Sequence, residues 1–133
     1  MLVNEEFNNF DIKIADLGCA IQFESKKGMN AVIGTPLYMA PELVKEQRYN
    51  EKVDVWSLGC IVYQLLSGKT PFDGKSLQQI NRFICTKEVS FKEKQWECVS
   101  SGAKDFIMQC LDRNITTRPS IEELFEHPWI CDN

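Results

Sequence analysis

Gly34-Thr35-Pro36-Leu37-Tyr38-Met39-Ala40-Pro41-Glu42 joins a turn-rich segment to the start of a helix. Gly34 and Pro36 favour turns. Pro41 suits a first helical position, and Glu42 then falls in the first turn, where an acid is favoured. Upstream, residues 19–39 show no sustained period and contain Gly28, Gly34 and Pro36, so they form a long loop. A loop of this length in a compact domain is usually functional or disordered. Before it, Met1-Leu2-Val3 is a short apolar run, and Phe10 to Ala15 alternate with Ile12 and Ile14 on one face. Two short strands joined by a turn follow from that pattern. Asp16-Leu17-Gly18 closes the second strand and opens the loop. Alone, such an Asp is usually a turn residue.

Downstream of Glu42, Asn50 can cap a helix running from Val53 to Leu66. Ten of its fourteen residues are hydrophobic and cover all sides, which predicts a helix buried at the centre of the fold. Gly68 and Pro71 end it. Another helix spans Ser76 to Cys85. A third starts near Ser100 or Ser101 and presents Ala103, Phe106, Ile107, Cys110 and Leu111 at amphipathic spacing. Ser120 and Glu123 form a capping box for a last short helix, which Pro128 closes.

The chain has 133 residues, 44% hydrophobic and 26% charged, with a formal net charge of −4. That composition suits one ordinary globular domain with a sizeable core. Its lysines and arginines are dispersed without a basic run, which argues against nucleic acid as a partner. The six cysteines show no C-x-x-C, and the one histidine, His127, has no cysteine at zinc-finger spacing. Free thiols in a reducing compartment are expected. The polar start argues against a secretory signal, and no run approaches the roughly 20 apolar residues of a membrane span. The expected place is the cytoplasm or nucleus.

Asp16-Leu17-Gly18, Gly34 to Glu42, Asp54-Val55-Trp56-Ser57-Leu58-Gly59, Arg118-Pro119 and His127-Pro128-Trp129 occur in that order along the chain. Together they resemble the C-terminal lobe of a serine/threonine protein kinase, and the calcium/calmodulin-dependent-like group fits best. The resemblance implies a mainly α fold with a small N-terminal β-hairpin. It spans residues 1–130 as a partial kinase domain, with an activation segment at 16–42, a central buried helix at 51–68 and a tail at 131–133. Asp16 would bind magnesium against the phosphates of ATP, consistent with the oxygen ligands a hard cation takes. Leu17 stands where the family usually has Phe. Gly34, Thr35, Pro36, Leu37 and Tyr38 would receive the protein substrate around its Ser or Thr, with Thr35 supporting the catalytic loop. Glu42 would pair with a buried Arg118. Asp54 would be satisfied by the catalytic-loop backbone, or alternatively by amides at its own helix start. Ile61 and Leu65 would carry a hydrophobic column. Many relatives carry a phosphorylatable residue three positions before this glycine. Ala31 stands there, and Ser25 is the one hydroxyl between Gly18 and Gly34. Gln64 replaces an acid that several relatives use to read substrate arginines.

The 133 residues contain no glycine-rich phosphate loop, no V-A-I-K lysine and no H-R-D catalytic loop. The resemblance thus implies a lobe without its N-lobe and catalytic loop, inactive by itself and binding ATP and magnesium poorly. Three readings stand: a fragment of an active kinase, a noncatalytic interaction or decoy module, and one half of a split kinase. Without the helix and loop that precede it in the family, one apolar face of the central helix lacks cover, which implies aggregation or a protein partner.

Overall fold

The computed structural model describes residues 12–22 and 34–131. The first strand of the expected hairpin, Ser25 and Ala31 lie outside the described residues. Of the second strand, Ile12 makes a single bridge, and residues 13–16 form no ladder.

The described architecture is helical: α1 (Pro41–Val44), α2 (Lys52–Ser67), α3 (Leu77–Thr86), α4 (Ser101–Cys110), α5 (Ile121–Phe125) and α6 (Pro128–Cys131). Local chemistry sets the ends. The Asn50 side chain accepts the Lys52 amide at 3.1 Å, satisfying a donor that α2 cannot. At its other end Gly68, at φ 73°, returns its amide to the Gln64 carbonyl at 2.8 Å, the left-handed stop that glycine adopts without strain. Ser76 and Ser100 cap α3 and α4 through the amides of Gln79 and Ala103. Ser120 and Glu123 complete the capping box of α5. Pro128 does more than end α5, since it opens α6 as its first residue.

Helix α2 is the centre of the packing. On one side Trp56 stacks on Phe72 with ring centroids 5.6 Å apart, and Tyr63 meets Trp96 at 4.7 Å. Phe91 lies edge-on against Trp96. Ile84 from α3 and Ile107 from α4 are fully buried in the same core. On another side Val55 joins Phe106, Cys110 and Leu124. Burial of this many large side chains, each contributing on the order of 1.5–3 kcal/mol, is what offsets the entropy of ordering the chain.

The third side of α2 corrects the expectation of burial all round. Asp54, Ile61 and Leu65 fall on one helical face, with Ile61 45% and Leu65 79% exposed. Helical spacing could not show this, because nearly every position is apolar and the open side depends on which elements pack nearby.

All six cysteines are free. Cys60 and Cys110 are buried, and burial pushes both thiols up to about 12. They therefore act as small hydrophobes and not as nucleophiles. Among the described residues no helix is long and apolar enough to cross a membrane.

Candidate functional site

The geometry is organised by an ion pair between residues 76 positions apart in sequence. Glu42 lies in the first turn of α1, and Arg118 follows the turn after α4; both are buried. Arg118 Nη1 donates to Glu42 Oε1 at 2.7 Å, and Nη2 donates to Oε2 at 3.0 Å. This fork-to-fork arrangement is the strong form of a carboxylate pair. Two further donors are also used: Nη1 reaches the Lys52 carbonyl at 2.9 Å, and Nε the Asp112 carbonyl at 2.8 Å. Lys52 Nζ donates in return to the Arg118 carbonyl. The guanidinium lies 5.2 Å from the centre of the Trp56 ring. A buried charge is tolerable when it is paired and hydrogen-bonded, and here four of the five guanidinium N–H donors have acceptors.

The pair fixes α1, and α1 fixes the segment before it. Gly34 has φ 138°, a region that side-chain-bearing residues rarely enter. Thr35 precedes the 3-10 turn Pro36–Tyr38, with Pro36 in first position. Tyr38 is tied to α2 twice. Its hydroxyl donates to Gln64 Oε1 at 2.7 Å, and its carbonyl accepts from the Ser57 hydroxyl at 2.9 Å. Between this segment and α2 lies a cavity of about 330 Å³. Thr35, Tyr38, Asp54 and Ser57 line it, together with Cys19 to Ile21 from the loop after Asp16.

Asp54 is at the surface, not in the interior as the apolar helix around it suggested. Partial withdrawal from solvent still raises its pKa above the ordinary carboxylate value. In the described residues its carboxylate contacts no cation or amide partner. A carboxyl whose folded pKa exceeds its unfolded one favours the fold at acid pH, and that contribution is lost as pH rises through the carboxylate range. Asp54→Asn is accordingly expected to raise the melting temperature of the chain slightly at neutral pH. The difference from the parent should shrink on acidification. A variant that melts lower at neutral pH would show that Asp54 is already satisfied.

Asp16 stands apart. It sits at φ 60°, a left-handed conformation that Asp tolerates. Its Oδ1 accepts the Gly18 amide at 3.4 Å ahead of the 3-10 turn Leu17–Cys19. It is exposed and does not line the cavity. Among the described residues no three acid, histidine or cysteine side chains gather to hold a metal. A lone exposed carboxylate does suit magnesium as one ligand, because that ion usually takes one or two carboxylates and shares the rest with phosphates and water.

The structure thus brings Thr35, Tyr38 and Asp54 around one cavity and joins Glu42 to Arg118. It leaves Asp16 outside, and Ile61 and Leu65 on the open face. Sequence reading did not find the Tyr38–Gln64 and Ser57–Tyr38 bonds, or the carbonyls of Lys52 and Asp112 around Arg118. The hydroxyl pairs leave no spacing signal, and the carbonyls belong to every residue type.

Comparison with known proteins places these features in context. The family model described as protein kinase domain matches residues 1–130. The chain is 40% identical over 119 residues to the serine/threonine-protein kinase PEPKR2 of Arabidopsis thaliana, covering 90% of this chain and 25% of that protein. It is 39% identical over 122 residues to calcium-dependent protein kinase 8 of Oryza sativa subsp. japonica, covering 92% of this chain and 22% of that protein. With serine/threonine-protein kinase ATG1b of Arabidopsis thaliana the identity is 37% over 135 residues, covering 99% and 19% respectively. The chain spans about a quarter or less of the length of these relatives.

Proposed function

Because the chain belongs to the protein kinase family, we propose that it supplies the substrate-facing lobe of an ATP-dependent serine/threonine kinase. The observation that carries this is the Glu42–Arg118 clamp. It holds Gly34 to Tyr38 against α2 beside an open cavity, where a peptide backbone could lie along the segment. Thr35, exposed at that cavity, would support the catalytic groups. Asp16 would be one magnesium ligand; the bound ion would neutralise phosphate oxygens during transfer.

These 133 residues are not a self-sufficient catalyst under this proposal. Phosphoryl transfer depends on positioning and charge stabilisation by a phosphate-covering loop, a lysine and a catalytic aspartate, and the motifs that carry them are not in these residues. The open face of α2, with Asp54, Ile61 and Leu65, would be covered by the rest of a kinase polypeptide or by a separate chain. That same face favours the second reading, a noncatalytic module that binds a protein through it.

The test is complementation. The chain alone is expected to transfer no phosphate from Mg-ATP to serine or threonine peptides. Joined in frame behind the N-terminal part of calcium-dependent protein kinase 8, from its start through its catalytic loop, it should do so. Asp16→Asn and Thr35→Ala should then remove most of that activity. A well-folded chimera without activity would overturn the catalytic proposal and leave the binding module.

A further inference from the structure

His127-Pro128-Trp129 has no part in the site described above, yet its contacts are specific. His127 is the one histidine of the chain and is 6% exposed. The Trp129 amide donates to its Nδ1 at 3.1 Å. An amide can only donate, so Nδ1 carries no proton and the neutral ring holds its proton on Nε2. Nε2 lies 3.1 Å from Asp105 Oδ2 on α4 and donates to it. The same oxygen accepts from Gln109 Nε2 at 2.9 Å. The His127 carbonyl accepts the Ile130 and Cys131 amides. The residue therefore caps α6 with both its backbone and its side chain, and its ring also ties α6 to α4. The ring lies edge-on to Phe106 at 5.3 Å, and Trp129 meets Phe106 at 5.1 Å.

Helix caps are normally Ser, Thr, Asp or Asn, whose accepting oxygens persist through neutral pH. An imidazole cap differs, because histidine is the side chain suited to changing charge between about pH 5 and 8. We propose that His127 is an acid-released cap that loosens α6 from α4. A second proton would go on Nδ1 and set an N–H against the Trp129 N–H. The bond to α6 would be lost, while the Nε2 bond to Asp105 would become charge-assisted and stronger. The ring would stay with α4 while its hold on the first turn of α6 is lost.

The charged groups of the neighbouring helices support this division. Asp105 faces it from α4. Helix α5 and the residue after it carry Glu122, Glu123 and Glu126, and Glu123 is turned to the Ser120 amide. Helix α6 itself, Pro128 to Cys131, has no charged side chain. No acid on α6 could therefore hold the protonated ring to that helix.

The test is amide hydrogen exchange of Trp129 in the full chain, corrected for the intrinsic rate, at about pH 8 and about pH 5. Protection should fall about fivefold at the acid end, the effect of losing a typical cap. Ring ¹⁵N shifts at the alkaline end should show an unprotonated Nδ1. His127→Asn keeps a neutral acceptor and should flatten the pH response. Equal protection of the parent at both pH values would overturn the proposal, whether or not the variant folds. So would an unchanged pH response in a folded His127→Asn chain.

Discussion

Replacing Arg118 with alanine is expected to destabilise the fold by about 3–5 kcal/mol, the usual result of removing one partner of a buried pair. The physical reason lies in what is left behind. Glu42 is 6% exposed, and without the guanidinium its carboxylate would be buried with no cation. The Lys52 and Asp112 carbonyls would lose the donors they now have at 2.9 and 2.8 Å. Trp56 would lose the cation over its ring. Small domains have only about 5–15 kcal/mol in hand, so the variant should melt far lower or fail to fold. Arg118→Lys should recover only part of the loss, since an ammonium cannot reproduce the two-pronged contact. Chemical denaturation of the parent, Arg118→Ala, Glu42→Gln and the double variant would measure the coupling. A loss below about 1 kcal/mol, the range of an exposed pair, would mean that water reaches Glu42 and that the clamp holds nothing.

This clamp also shows how far sequence reaches. Glu42 and Arg118 carry a signal only as parts of separate motifs, and their pairing is implied only by family resemblance. The helices were more directly legible. Ser100, Ser76 and the Ser120–Glu123 pair stand at the starts of α4, α3 and α5 because their hydroxyls answer amides that the helix leaves open. Asn50 and Gly68 mark α2 for the same kind of reason.

The environment of those helices was less legible. With apolar residues on every side of α2, the sequence carries no mark for an exposed face, and for that reason the pattern puts Asp54 in the interior. Residues 87–99 contain Phe91 and Trp96, which complete the aromatic core around Tyr63. They have neither helical nor alternating periodicity, so nothing local announced them as core. For the candidate site, Thr35 and Tyr38 could be named from their segment. Their anchors, Ser57 and Gln64, could not, because a hydrogen bond over 19 or 26 positions has no local trace.

Substitution of Gly59 tests how closely α2 and α4 must approach. A β-carbon built there would lie 2.6 Å from Cys110 Cβ and 3.0 and 3.1 Å from Leu111 Cδ2 and Cγ. The first contact cannot be relieved by side-chain rotation, because each β-carbon is fixed to its own backbone. The helices would have to part, loosening a core that includes Cys60, Phe106 and Ile107. Overpacking of this kind typically destabilises by about 1–3 kcal/mol, whereas alanine in place of a helical glycine returns about 1 kcal/mol. Gly59→Ala should therefore be mildly destabilising. Gly59→Val should reach the upper end of that range or beyond, as it adds two methyl groups to a contact that is already too close. Removing the opposing atom provides the control. In a Cys110→Gly background, Gly59→Ala has no β-carbon to strike and should be neutral or stabilising relative to that background. Denaturant midpoints of the four combinations would give the coupling directly. If Gly59→Ala stabilises the parent chain, α4 can withdraw without loss, and the close approach of the two helices is not what holds them together.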